Sequence, residues 1–121
     1  EITTLVRKED ISIASNPNIV KVIYCESNGK CLYFSRAPIP HYREQHKDDN
    51  FHAHVGVYSF LPDSLQKFCQ MDEGEFEKKE ALEQLRALEN GMSIGAITTQ
   101  MKLQGVDTPE DIKFVEENLN E

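Results

Sequence analysis

The sequence predicts one domain of the α/β class. Five short segments have the β-branched and aromatic composition of strands, and three longer segments have the apolar spacing of amphipathic helices. A chain of 121 residues, 39% hydrophobic and 28% charged, has the size and composition of a single globular domain. Nothing in the composition indicates a second core.

The N-terminal part is predicted to contain a strand and a hairpin. Residues 2–7 (ITTLVR) have the composition of a short strand. Residues 19–25 and 30–35 (IVKVIYC and KCLYFS) flank the turn signal Ser27-Asn28-Gly29. Two β-rich runs around an Asn-Gly pair predict a β-hairpin.

The cysteines are predicted to be free thiols. A two-residue turn at Asn28-Gly29 would pair residue 25 with residue 32, which puts Cys25 and Cys31 on opposite faces and disfavours a disulfide. The odd number of cysteines, with Cys69 as the third, has no metal-ligand spacing. Reduced thiols are typical of a cytoplasmic protein.

The segment at 33–40 (YFSRAPIP) places one arginine between a strand end and two prolines. Pro38 and Pro40 restrict the backbone after Arg36, and α/β proteins often place ligand contacts in such a stiff loop. An arginine paired with a surface carboxylate explains the segment too. The polar residues 41–50 (HYREQHKDDN) predict a long flexible loop that could move over a site.

Residues 54–61 (HVGVYSFL) are predicted to form a strand with two distinct faces. Strand alternation puts His54, Gly56, Tyr58 and Phe60 on one face. His54 and Tyr58 are candidate hydrogen-bond donors in a pocket for a polyhydroxylated or anionic ligand. A half-exposed strand with amphipathic side chains is the alternative. A His-x-His pair can bind zinc, but no two further ligands have a convincing spacing.

Two helices are predicted next, at 63–71 and 76–90. An apolar stripe on the second consists of Ala81, Leu82, Leu85 and Leu88, and Gly91 ends that helix. The remaining residues of the LEQLR motif at 82–86 are predicted to form its solvated face, and these residues are Glu83, Gln84 and Arg86.

The last elements are a strand at 93–99 and a helix that ends near Leu119. Thr108 is predicted to cap this helix, with Pro109 at its first position. Asp107 stands just before the cap, where it could bind Mg²⁺ together with phosphate oxygens. A structural charge that interacts with the helix dipole is the alternative.

The charge balance disfavours general binding to nucleic acids. The chain has 13 basic and 21 acidic residues and a formal net charge of -8. A local basic pocket around Arg36 and Arg43 remains compatible with that balance. The sequence has no apolar run of membrane-span length and begins without an apolar signal region, so we expect a cytoplasmic protein with no membrane partner.

Five motifs in order resemble one family. They are NPNIVKV at 16–22, LYFSRAPIP at 32–40, HVGVY at 54–58, ALEQLR at 81–86 and GVDTPEDI at 105–112. Together they resemble the C-terminal half of the CMP-Kdo synthetases, which are 3-deoxy-manno-octulosonate cytidylyltransferases. The resemblance implies half of a Rossmann-like nucleotide-diphospho-sugar transferase fold, with a mixed sheet and a β-hairpin.

The resemblance also implies an activity and a site. Family members use Mg²⁺ to transfer CMP from CTP to the sugar acid Kdo, release pyrophosphate, supply lipopolysaccharide synthesis and are usually homodimers. The matching substrate-binding residues in this chain are Arg36, Arg43, His54, Tyr58, Glu83 and Gln84. Asp107 matches a catalytic aspartate that binds the metal ion.

The chain departs from the family in two ways. Ala53 precedes His54, where the family usually has a basic residue. The N-terminal half, which binds the CTP phosphates, is absent, so we expect residues 1–121 to be the sugar-acid-binding and metal-binding part and to be inactive alone. The alternatives are a cytidylyltransferase for another sugar acid, such as N-acetylneuraminate, and a non-catalytic module for dimerisation or ligand binding.

Overall fold

The computed structural model describes residues 1–44, 46, 49–100 and 108–119. Within this part of the chain, five strands and four α-helices follow one another with a short 3₁₀ turn, Ile11–Ile13, after the first strand. The strands are β1 (Ile2–Asp10), β2 (Lys21–Cys25), β3 (Lys30–Ser35), β4 (Asn50–Phe60) and β5 (Ile94–Thr98). The helices are α1 (Pro62–Gln70), α2 (Glu75–Glu80), α3 (Leu85–Glu89) and α4 (Pro109–Asn118).

The strands form one mixed sheet in the order β1-β4-β2-β3-β5. Strand β4 pairs antiparallel with both β1 and β2, while β5 runs parallel to β1. A single residue pair, Lys30 with Gly95, joins β5 to β3, so the strand order closes on itself. The α/β class, the mixed sheet and the hairpin are therefore confirmed.

The hairpin of β2 and β3 has a different register from the one predicted. Cys25 pairs with Lys30 and Tyr24 with Cys31, after an irregularity between Ile23 and Tyr24. The predicted pairing was wrong because residues 26–29 form a longer turn, in which the Gly29 N–H donates to the Cys25 carbonyl at 2.8 Å. Gly29 has a φ of 72°, which glycine adopts without strain.

The cysteines are free, as predicted. Cys31 is buried, and burial raises the pKa of its thiol to about 11. The thiol is therefore protonated at neutral pH and behaves as a small apolar side chain.

The main core lies between the sheet and the segment that contains α3. Its largest fully buried apolar side chains include Val6, Val22, Phe34, Leu85 and Ile94. A smaller cluster of Ala14, Phe51 and Ala53 lies at the other end of β4. Each strand contributes its inward-facing residues, as period-two alternation requires.

The segment predicted as one helix at 76–90 is two short helices. Ala81 has a left-handed φ of 55° and ends α2, and the chain turns before α3 begins. Ala81 is exposed, whereas Gln84 is buried, which reverses their predicted placement. Leu82 and Leu85 are in the core and Gly91 follows the last turn, as predicted.

Helix α3 folds back against the start of α2. The Glu89 carboxylate accepts hydrogen bonds from the backbone N–H groups of Phe76 at 3.0 Å and Glu77 at 3.3 Å. A Cβ at Gly74 would lie 1.9 Å from the same carboxylate, so a larger residue there would displace the Glu89 side chain from this position. Glu77 and Arg86 form a bidentate ion pair at 2.9 and 2.6 Å between the two helices.

The remaining elements agree with the sequence to within two residues, apart from longer strands at β1 and β4. The predicted cap of α4 is present, since Thr108 Oγ1 accepts from the Asp111 N–H at 3.2 Å. The Asp111 carboxylate accepts in return from the Thr108 N–H at 3.0 Å. No helix in the described ranges has the length and apolar character needed to cross a membrane.

We predict that Glu77→Gln lowers the thermal unfolding midpoint by about 5 °C or more, because it removes one charge of a largely buried bidentate pair. The pKa of Glu77 is held below its usual value, chiefly by the hydrogen bond from Arg86. This stabilisation is therefore present above pH 4.5 and is lost as pH falls below it. Circular dichroism melts at pH 7 and in acid measure both effects.

The matched control is Glu75→Gln, which breaks the exposed pair with Lys79 on the same helix. Its melting curve should resemble that of the unsubstituted chain. Equal effects of the two substitutions would contradict a special role for the buried pair.

Candidate functional site

A groove of 950 Å³ runs beside β4 and contains two of the predicted site residues. Its lining includes Arg7, Asn16, Asn18, Arg36, His54 and Gly56. Two guanidinium groups and two amides give this groove the donors that an anionic or hydroxylated ligand requires. Arg36 shares this groove with Arg7, which is paired with Glu9, and with the carboxylate of Asp111, whereas Arg43 does not line it.

Arg36 connects three segments through backbone carbonyls. Its Nε donates to the Glu80 carbonyl at 2.8 Å, and its two terminal nitrogens donate to the carbonyls of Pro17 at 3.0 Å and Ala81 at 3.1 Å. Its own backbone N–H donates to the Glu80 carboxylate at 3.2 Å. A guanidinium has about five N–H donors, so two remain beyond these three bonds for a ligand.

Lys21 binds the backbone of Arg36 and of the loop before β2. Its side chain is fully buried, and Nζ donates to the carbonyls of Asn16 at 2.6 Å and Arg36 at 2.7 Å. Burial, and after it the charge of Arg36, lower the pKa of Lys21. One ammonium group thereby joins the loop before β2 to the residue that follows β3.

His54 lies at the centre of β4, largely enclosed by aromatic rings. Its ring centroid is 4.9 Å from that of Phe34 and 5.4 Å from that of Tyr58. Nε2 lies 2.9 Å from Thr4 Oγ1. Burial lowers the pKa of His54 to about 4, so the imidazole is neutral at pH 7.

A second cavity of 320 Å³ adjoins the groove at the His54–Tyr58 ring contact. It is lined by apolar side chains together with Tyr58, Glu83 and Gln84. Gln84 is only 8% exposed, and its amide makes no hydrogen bond to another described residue. Burial, followed by the charge of Glu83, raises the pKa of Tyr58, so its phenol remains a donor.

The structure thus brings five of the predicted residues around two adjoining cavities. Arg36 and His54 line the groove, and the other three line the second cavity. Arg43 is exposed and lines neither of them. Asp107 lies outside the described residues, so its predicted role stays a prediction.

The described ranges contain no cluster of three or more His, Cys, Asp or Glu side chains that could hold a metal ion. His52, one partner of the considered His-x-His pair, lies 3.2 Å from Glu26. Mg²⁺ needs no such cluster, because it is commonly held by one or two carboxylates together with phosphate oxygens and water. A carboxylate at position 107 is compatible with that donor set.

Sequence reasoning missed three residues that shape the groove: Thr4, Arg7 and Lys21. Lys21 carried a detectable signal, because a lysine inside the apolar run IVKVIYC must either interrupt the core or be paired within it. Thr4 and Arg7 carried none, since strands routinely contain threonine and exposed arginine.

Residues 1–94 match the family model described as Cytidylyltransferase. The chain belongs to the cytidylyltransferase family. This cytidylyltransferase chain is 44% identical over 111 residues to a protein of Chlorobium limicola named 3-deoxy-manno-octulosonate cytidylyltransferase, with 92% of the chain and 44% of that protein covered. A protein of the same name from Lawsonia intracellularis is 41% identical over 116 residues, with 96% of the chain and 45% of that protein covered.

A solved structure described as CMP:2-keto-3-deoxy-manno-octonic acid synthetase complexed with CTP has a TM-score of 0.88 and 34% sequence identity to this cytidylyltransferase chain. The alignment covers 98% of the chain and 48% of the solved one. The chain therefore spans less than half the length of these relatives. The predicted resemblance to CMP-Kdo synthetases is confirmed.

We predict that His54 titrates with a midpoint of about 4, because burial disfavours its charged form. The unfolded chain, whose histidine has the ordinary value of 6.5, binds this proton more tightly. Stability should therefore fall by roughly 1 kcal/mol per pH unit from pH 6.5 toward pH 4. NMR titration of the ring protons and urea unfolding across this interval measure both quantities.

His54→Gln is the control, because it keeps a polar side chain and removes the titrating group. It should flatten the pH dependence of stability over that interval. A ring midpoint near 6.5 in the unsubstituted chain would contradict the burial of a neutral imidazole.

Proposed function

We propose that this chain is part of an enzyme that transfers CMP from CTP to 3-deoxy-manno-octulosonate, giving CMP-Kdo and pyrophosphate. The observation that carries the proposal is the similarity to proteins of that name over 92% of the chain. The clustering of five motif residues around two adjoining cavities supports it. In this proposal, residues 1–121 supply the sugar-acid-binding and metal-binding part, and the CTP-binding half of the relatives completes the enzyme.

The second cavity has the chemistry to bind the hydroxyl groups of a sugar acid. Gln84 offers both an amide donor and a carbonyl acceptor without a competing bond to another described residue, and Tyr58 offers a phenol donor. The carboxylate of Glu83 accepts from hydroxyl groups. Apolar walls exclude water, which strengthens each of these directional bonds.

Arg36 is proposed to bind the sugar carboxylate with the donors that its three carbonyl bonds leave over. Because those bonds fix the plane of the guanidinium, a ligand would meet a preorganised group. Arg43, which is exposed on the polar loop, is proposed to add charge when the sugar acid binds.

Asp107 is proposed to hold Mg²⁺ as a hard oxygen ligand, with phosphate oxygens completing the coordination. When bound, the ion supplies neutralisation of phosphate charge and acidification of the attacking hydroxyl. This chain would contribute the carboxylate, and its two cavities would hold the sugar.

The biological setting is proposed from the same similarity. The product would supply lipopolysaccharide synthesis, in the cytoplasm, and the full-length protein would be a homodimer. Here, full-length protein means a protein of the relatives' length that contains these 121 residues. N-acetylneuraminate in place of Kdo is the substrate alternative.

We predict that Gln84→Ala in the full-length protein raises the KM for Kdo about tenfold, because a nearly buried amide loses its bonds to the sugar. The KM for CTP should change little. Pyrophosphate release under varied Kdo and varied CTP separates the two constants. The same assay with N-acetylneuraminate tests the alternative substrate.

The matched control is Gln66→Ala, the same change at an exposed position of α1. It should leave both constants unchanged. Equal increases in the two KM values of Gln84→Ala would argue against a sugar contact.

We predict that Asp107→Ala in the full-length protein lowers kcat at least about a hundredfold, because a ligand of the proposed ion is lost. Asp72→Ala, at an exposed position away from both cavities, is the control. Normal activity of full-length Asp107→Ala would favour a non-catalytic module for dimerisation or ligand binding.

The 121-residue chain with CTP, Kdo and Mg²⁺ should release no pyrophosphate.

A further inference from the structure

Thr4 lies inside an irregularity that bends β4 beside His54. The β1–β4 register passes from Thr3 opposite Ser59 to Leu5 opposite Val55. One residue of β1, Thr4, therefore stands opposite the three residues 56–58 of β4. Such bulges commonly redirect a side chain near a site.

The hydroxyl of Thr4 contacts three polar atoms of β4. Oγ1 lies 2.8 Å from the Val57 carbonyl oxygen, 3.1 Å from the Val55 carbonyl oxygen and 2.9 Å from His54 Nε2. Thr4 is 1% exposed, so water does not compete for these contacts. The bulge thus brings two carbonyls and one imidazole nitrogen to a single hydroxyl.

A count of protons determines the direction of these bonds. A hydroxyl has one proton to donate, and carbonyl oxygens can only accept. If that proton pointed at His54, the two carbonyl oxygens would face hydroxyl lone pairs at 2.8 and 3.1 Å. The proton is therefore directed at the carbonyls, and Oγ1 accepts from an N–H at Nε2 of His54.

We propose that Thr4 is a positioning residue that holds His54 in its Nε2–H tautomer, so that Nδ1 offers the groove a hydrogen-bond acceptor. His54 lines that groove, and its Nδ1 has no hydrogen bond to another described residue. The low pKa of His54 agrees, because an imidazolium would have a proton on both nitrogens. The proposal differs at His54 from the sequence-based prediction of a pair of donors, because the nitrogen that faces the ligand would be an acceptor; Tyr58 remains a donor in both.

The ligand group that matches this acceptor is a hydroxyl, not a carboxylate. A carboxylate at an unprotonated Nδ1 would place two acceptors against each other. His54 then selects a sugar hydroxyl while Arg36, on the same groove, remains the partner for the acid group. This assignment of the ligand rests on the proposed function, whereas the tautomer does not.

The tautomer is tested in the 121-residue chain by long-range ¹H–¹⁵N NMR of the histidine rings at pH 7. The unsubstituted chain, Thr4→Ser and the exposed control Thr3→Val should show His54 protonated at Nε2 alone. Thr4→Val should lose this preference, because the hydroxyl acceptor is gone. Protonation at Nδ1 in the unsubstituted chain, or an unchanged pattern in Thr4→Val, would overturn the proposal.

The role in recognition is tested by kinetics of the full-length protein. Thr4→Val should raise the KM for Kdo about tenfold and change the KM for CTP little, and Thr4→Ser should restore the original value. If Thr4→Val changes the tautomer but not the KM for Kdo, the acceptor role is wrong while the activity itself stands. Absence of pyrophosphate release from the unsubstituted protein would refute the proposed function and leave the NMR result to decide the tautomer.

The amide spectrum of Thr4→Val would show whether this variant folds. If it does not fold, the spectra of the unsubstituted chain and of Thr4→Ser test the positioning role. The unsubstituted chain and Thr4→Ser must then both show the Nε2–H pattern. Either one protonated at Nδ1 refutes the positioning role.

Discussion

The arrangement of the groove depends on two cations that bind backbone carbonyls. Arg36 joins the end of β3 to the junction of α2 and α3 and to the loop before β2, and Lys21 binds a carbonyl of that loop and the carbonyl of Arg36. The bonds of Lys21 and of Arg36 Nε to carbonyls are partly buried, so the loss of these donors would be costly, whereas the bonds of Arg36 to Pro17 and Ala81 are exposed. The ligand-facing surface is therefore a consequence of how these backbone acceptors are satisfied.

Strand β4 carries the second half of the arrangement, because the two cavities meet along it. Strand alternation puts His54 and Tyr58 on one face, and the irregular pairing with β1 accompanies a bend that brings their rings into contact across Gly56. The space that a Cβ of Gly56 would occupy is empty, and Gly56 borders the groove. A regular ladder would have left Thr4 with one neighbour across the sheet and no bond to the imidazole.

The sequence predicted the elements well wherever the signal was local. Strand alternation around His54 and the capping residues of α4 depend on neighbours within a few positions, and both were confirmed. The division of residues 76–90 was not predictable, because the left-handed Ala81 is stabilised by distant partners such as Arg36. The same turn leads to the burial of Gln84. The prediction of a solvated face was therefore wrong at Gln84 for the same reason as the prediction of a single helix.

The site combines groups whose charge is fixed or suppressed rather than variable. His54 is neutral because of burial, Tyr58 keeps its proton at neutral pH because the ordinary pKa of a phenol is already 10, and three donors of Arg36 are bound to the backbone. A ligand approaching these groups would gain little from a diffuse field in a chain with a net charge of -8. Recognition must then depend on the direction of individual hydrogen bonds. In the proposed function, that dependence would make the orientation of one imidazole, set by one buried threonine, a determinant of which hydroxylated acid the groove accepts.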